Sequence, residues 1–292
     1  MDLDQYQQAA AGTDQFAAKR GDEALMIPLL GIAGETGTLL AEFKKKIRDR
    51  ESYEGFKERA EEELGDVLWY LANIATRLNL SLSEIASKNL HKVNERWPIA
   101  DDEDAVVRHF DADYPKSEQL PRSLTVRVSE AEEGRKAQMQ IEPGGQLLGD
   151  PLTDNAYGDD GYRFHDVLHL ANMAVLGWSP VMRALLRKKR KSQPQIDEVE
   201  DGARARVLEE LIVAFVYSNA RDRRYYAGIR HVDTEMLVTI KRIVGHLEVH
   251  QRTMKDWERA ILQGYAAFRF LLKNRAATLT VDMRARELRV SR

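Results

Sequence analysis

The segment GETGTLLAEFKKKIRD places Glu35, Thr38 and Glu42 along one face of a helix, because offsets of three and seven residues bring side chains nearly into line. A second stretch offers Glu62, Glu63 and Asp66, of which Glu63 and Asp66, three apart, face the same way. These acids stand beside an apolar stripe that should be buried, where a carboxylate is costly unless it is paired or holds a metal. Carboxylates facing each other from two helices suit magnesium or manganese, hard ions that prefer oxygen and keep waters for substrate phosphates. Glutamates on helices are usually solvated, so spacing alone leaves both readings open.

A second constellation lies in GYRFHDVLHLANMAVLGWSP, where His165 and His169 are four apart on one helical face with Asp166 adjacent, a spacing that can chelate a metal. Downstream, DEVEDGARARVLEELIVAFVYSNA supplies Glu200, Asp201, Glu209 and Glu210, and Glu210 is the candidate ligand to join the two histidines. The plainer reading is that the histidines are ordinary helix-face side chains and that the acids favour a helix N-terminus, where the macrodipole stabilises negative charge. A Gly- and Asp-rich loop precedes the histidines, a common setting for chemistry. The run Arg187, Lys188, Lys189, Arg190, Lys191 could receive phosphates, although consecutive cations at a helix end are usually solvated.

The runs GETGTLLAEFKKK and EEELGDVLWYLANIATRLNLSLSEIASKNLHKVNERW resemble the MazG-like nucleotide pyrophosphohydrolases. Their mark is a Glu-rich helix, ExxD on the next helix, then an Asn and a Lys three apart on a further one. The resemblance implies that Glu35, Glu63 and Asp66 are catalytic metal ligands for magnesium or manganese, and that Asn89 and Lys92 hold the nucleotide. Lys45 is a further candidate for the substrate. Where the family usually has another Glu, this chain has Thr38, so the site holds one ion fewer, recruits Glu42 one turn on, or is weakened. The implied reaction cleaves an NTP or dNTP to its monophosphate and pyrophosphate. Two alternatives remain open: a nucleotide-sensing scaffold without catalysis, and a hydrolase whose main site is the cluster of His165, His169 and Glu210. The second half, in DPLTDNAYGDDGYRFHDVLHLANMAVLGWSP and EDGARARVLEE, resembles the extension carried by some MazG-like proteins, which brings no assignable activity.

Helices must position these residues. Leu64, Val67, Leu68, Leu71, Ile74, Ala75 and Leu78 recur at three and four, and the pattern up to about Trp97 predicts a compact bundle of three or four helices. Pro28 is expected to open a helix to about Arg48, a second to run from about Tyr53 to Leu78, and a third to start after Ser81, capped with Glu84. An acidic run, Asp101 to Asp104, marks a boundary. Beyond it Leu124, Val126 and Val128 alternate with polar residues, as does Ala137 to Ile141, predicting a small β-hairpin. Helical periodicity then resumes to about Leu272. The expected fold is mainly all-α: a bundle over 1–100, a linker with a hairpin over 101–155, and a helical domain over 156–292. EELIVAFVYSNA echoes EELGDVLWYLANIA, so the last domain reads as a candidate diverged repeat of the first.

The 44 Lys plus Arg nearly balance 47 Asp plus Glu, and a net charge of −3 gives no bulk reason to expect nucleic acid as partner. The chain has no cysteine, which excludes disulfides and thiolate metal sites. The polar, acidic start does not read as a signal peptide, and no uninterrupted apolar run reaches bilayer length, so a cytoplasmic protein without membrane contact is expected. A homodimer or higher homo-oligomer is expected as well.

Overall fold

The computed structural model describes residues 1–19, 21–97, 108–130 and 136–291, which fall into two compact units, Met1–Asn94 and Glu95–Arg292. The acidic run Asp101 to Asp104 and the turn of the expected hairpin, 131–135, lie outside the described residues.

The first unit is built from α1 (Leu3–Gly12), α2 (Asp22–Asp49), α3 (Phe56–Arg77) and most of α4 (Leu82–Arg96). α2 begins at Asp22, so Pro28 lies inside it and does not open it. Asp22 and Glu23 in the first turn suit the positive end of the helix, while the proline removes one N–H and is buried. A 3-10 turn at Arg50–Ser52 and Gly55 in the left-handed region reverse the chain into α3. Ser81 caps α4 as expected, accepting the Glu84 N–H at 3.1 Å.

Two contacts set α2 against α3. A methyl group at Gly31 would stand 2.2 Å from the Tyr70 ring, so only glycine permits this approach. Near the reversal the Phe43 and Phe56 rings meet edge to face at 5.9 Å. α1 is fastened by Gln7, which donates to the Leu80 carbonyl at 2.8 Å and accepts from the Leu82 N–H at 2.7 Å.

The buried core of this unit is small: Ala10, Ala72, Ala75 and Leu82, with Tyr6 and Trp69 against them. Leu30, Leu40, Phe43, Ile47 and Leu64 are each more than half exposed. By length and composition alone, one stretch within α2, though not an uninterrupted apolar run, reaches the hydropathy of a membrane span, and almost none of it is buried.

The second unit sets helices against a sheet. Its described residues form α5 (Asp166–Leu176), α6 (Pro180–Leu185), α7 (Pro194–Val199), α8 (Ala203–Arg221), α9 (Thr234–Ile243) and α10 (Met254–Asn274). They also form β1 (Ser123–Glu130), β2 (Ala137–Glu142), β3 (Gln146–Leu147), β4 (Ala276–Asp282) and β5 (Glu287–Ser291). The five strands make one antiparallel sheet in the order β3-β2-β1-β4-β5. The predicted hairpin is present, with Val126 opposite Ile141 and Val128 opposite Met139. It is not a linker: β1 is the middle strand, flanked by β4, and its inward residues Leu124, Val126 and Val128 are core. The division at 101–155 is therefore redrawn, with the hairpin belonging to the second unit.

α5 is buried along Val167–Leu176, as expected of a helix that is apolar all round. It packs on α10, where a methyl group at Gly264 would meet Leu168 Cδ2 at 2.8 Å and Ala171 Cβ at 3.1 Å. The echo between EELGDVLWYLANIA and EELIVAFVYSNA stays local, because the first unit has no described strand and the second is organised around a sheet.

Candidate metal centres

In the first unit the α2–α3 hairpin brings Glu35 together with Glu63 and Asp66, and a ligand oxygen from each lies within 4.8 Å of the others. Glu35 and Glu63 are partly buried and Asp66 is exposed. Loss of hydration pushes the Glu63 carboxyl above its ordinary range, and the neighbouring charges of Glu35, Asp66 and Glu62 push it the same way. An all-oxygen donor set, open to water on one side and repelling itself, fits a hard divalent ion.

The remaining candidates of this unit fall elsewhere. Glu42 is buried and engaged: Tyr53 donates its hydroxyl to it, Lys45 lies at 2.5 Å and Arg59 at 3.8 Å. It is thus turned into a clamp for the α2–α3 reversal and is not grouped with the other three carboxylates. Lys45, the further substrate candidate, is paired with Glu42 in that clamp and its side chain stays partly exposed. Thr38 is exposed and donates to the Gly34 carbonyl at 3.3 Å, one helical turn back. Asn89 and Lys92 lie exposed on α4, and neither side chain makes a hydrogen bond or ion pair among the described residues.

In the second unit the loop before α5 is tied down by Arg163, a fully buried guanidinium. It contacts Asp154 at 2.7 Å, Asp159 at 2.8 Å and Glu130 at 3.1 Å. The chain then passes through a 3-10 turn, Tyr162–Phe164, into His165 at the start of α5. His165 Nδ1 is 2.8 Å from the Tyr162 carbonyl, and the Tyr162 ring stacks on the imidazole at 4.3 Å. With Nδ1 turned to a carbonyl it carries the proton, and Nε2 is left as the free nitrogen. His165 Nε2 lies 3.6 Å from Asp166 Oδ1 and 3.8 Å from Glu210 Oε2.

His169, one turn on, is completely buried. Glu209 Oε1 stands 2.9 Å from its Nδ1 and Glu210 Oε1 stands 3.4 Å from its Nε2. Burial opposes a charge on this imidazole, yet the two glutamates outweigh it and raise its pKa well above the ordinary value. Burial raises the Asp166 carboxyl, and the histidines partly offset it. Glu209 is fixed by three donors: Asn172 at 3.2 Å, Ser179 at 3.0 Å and the Val181 N–H at 3.0 Å. Sequence reasoning singled out His165, His169 and Glu210. It did not separate the buried Glu209 from the half-exposed Glu210, which adjacent positions in one helix cannot reveal without knowing which face of α8 is inward.

Three of the five residues of the basic run are engaged inside the unit, while Arg187 and Lys191 are exposed. Arg190 is buried between Asp201 and Glu248, each contacted at 2.7 Å. Lys189 pairs with Asp197 at 2.7 Å, and Lys188 donates to the Ser117 carbonyl at 3.1 Å.

A family profile described as the MazG nucleotide pyrophosphohydrolase domain matches residues 28–100, and one described as the MazG C-terminal domain matches residues 105–292. Among curated proteins, the Gene 37 protein of Mycobacterium phage L5 is 34% identical over 102 residues, covering 33% of this chain and 89% of the phage protein. No solved structure matches. The first profile takes in Glu35, Glu63, Asp66, Asn89 and Lys92, the second takes in the whole histidine cluster, and the chain thereby belongs to the MazG family, as a pyrophosphohydrolase domain followed by a MazG C-terminal domain.

Proposed function

We propose that the first unit hydrolyses nucleoside triphosphates between the α- and β-phosphates, giving a monophosphate and pyrophosphate. The observation that carries this reading is the convergence of Glu35, Glu63 and Asp66, within 4.8 Å of one another, inside a stretch that matches the pyrophosphohydrolase family. Glu35, Glu63 and Asp66 would hold magnesium or manganese, which when bound neutralises charge on the phosphate oxygens. A carboxylate of the cluster orients the attacking water, whose oxygen bonds to the α-phosphorus as the bond to the β-phosphate side breaks. Asn89 and Lys92, without protein partners among the described residues, are available to the nucleotide, and the Lys92 ammonium suits its phosphate chain.

A second copy of the chain is the partner we propose for the apolar faces of α2 and α3. So small a core beside so many exposed leucines supports a protein partner for α2 over a membrane. A cytoplasmic location and independence from nucleic acid belong to the same reading.

The test is product analysis of the purified chain with a panel of NTPs and dNTPs plus magnesium or manganese. Monophosphate and pyrophosphate are expected, reduced roughly a hundredfold or more in Glu63→Ala with the far-ultraviolet dichroism retained, and persisting in His169→Ala. Full activity in Glu63→Ala overturns the assignment. Thr38 favours one other reading, a sensor that binds triphosphate without cleaving it, and tight binding with no product would identify that case.

A further inference from the structure

We propose that His165, Asp166, His169 and Glu210 form a second metal centre, in the second unit, built for a nitrogen-binding divalent transition ion of the Zn²⁺ class and not for Mg²⁺. Ligand atoms of His165, Asp166 and His169 all lie within 4.8 Å of one another. Glu210 reaches across from α8 to both imidazoles, at 3.8 Å from one and 3.4 Å from the other. Donors arranged as a tetrahedron around an ion at about 2.1 Å are separated by about 3.4 Å, and Glu210 approaches that separation with Oε1 toward His169 and Oε2 toward His165. Two imidazoles and two carboxylates are the donors that zinc and its neighbours accept, whereas magnesium takes oxygen and water.

The state of His169 points to a missing ligand independently. Neither ring nitrogen is satisfied by a well-formed hydrogen bond, although the side chain is fully buried and a glutamate oxygen stands beside each. A buried polar ring left in that condition is costly. Three carboxylates, Asp166, Glu209 and Glu210, also converge on two imidazoles, and a divalent cation would offset that excess.

Each imidazole has an oxygen of the kind that metal-binding histidines use beside its Nδ1, hydrogen-bonded at His165 and adjacent at His169. The Tyr162 carbonyl turns His165, and Glu209, itself fixed by Asn172, Ser179 and Val181, stands at Nδ1 of His169. Both Nε2 atoms are thereby directed to the side where Glu210 sits. The Glu210 side chain is 46% exposed, so that side of the ion stays open to water or a small anionic ligand.

The experiment is a Co²⁺ titration of chelator-treated full-length protein, read by visible absorption, with Glu210→Gln, His165→Ala and Glu63→Ala alongside. A visible band of low-coordinate cobalt is expected, displaced by equimolar Zn²⁺ but not by a large excess of Mg²⁺. It should persist in Glu63→Ala, and binding should weaken at least about tenfold in Glu210→Gln and His165→Ala. Glu210 is half-exposed, so its variant should keep the wild-type dichroism and carries the test if His165→Ala fails to fold. No band, a band unaltered in Glu210→Gln, or a band lost only in Glu63→Ala overturns the proposal. Activity of the first unit is not the readout, so the two assignments fail separately.

Discussion

At the scale of single residues, the first cluster is three carboxylates. Thr38 lies one turn beyond Glu35 and is exposed, so Thr38→Glu places a fourth carboxylate without displacing packed atoms. The expected outcome is several-fold tighter Mg²⁺ binding by calorimetry and faster pyrophosphate release. An unchanged Mg²⁺ affinity would show that position 38 does not face the ion. Helical periodicity put Glu35 on one face and Glu63 with Asp66 on another, but the resemblance to the MazG-like family was what singled these three out from Glu42 and Glu62. Glu42 obeyed the same periodicity and was still misplaced. Its neighbours Tyr53 and Arg59 come from the reversal after α2, whose path no spacing rule gives.

At the scale of elements, glycines set the distances between the helices that carry both sites. Gly264→Ala adds a methyl group 2.8 Å from Leu168 Cδ2, and Leu168 adjoins His169 on α5. Overpacking costs about 1–3 kcal/mol, against which the gain in helix propensity offsets at most about 1 kcal/mol. A lower denaturation midpoint is therefore expected, measured by urea unfolding, and a midpoint equal to wild type would mean that α5 and α10 pack more loosely than described. The hairpin of β1 and β2 was readable from alternation. β4 carried the same signal, Ala277, Leu279 and Val281 alternating with Thr278 and Thr280, but it follows a long helix directly and was passed over. Pro28 misled in the opposite direction, because proline favours a first helical turn yet is tolerated inside α2, where the charged residues before it begin the helix.

At the scale of the whole molecule, the two units differ in how far they satisfy themselves. The second buries large side chains such as Trp178, Trp257 and Phe268 completely, and the first buries mainly alanines. If a second copy covers the faces of α2 and α3, light scattering of the full chain should show a dimer or larger species across micromolar concentrations. Leu40→Glu with Ile47→Glu should shift it to monomer, and a monomer in the wild type would remove the proposed partner. The order of the sheet has a further consequence during synthesis. β1 ends at Glu130 and its neighbour β4 begins at Ala276, so the ribosome must work for on the order of ten seconds or more before the central strand gains its second edge. The first unit has left the exit tunnel by then. If a second copy does cover α2 and α3, nascent chains on one message would be able to meet through them before the sheet of the histidine-bearing unit is complete.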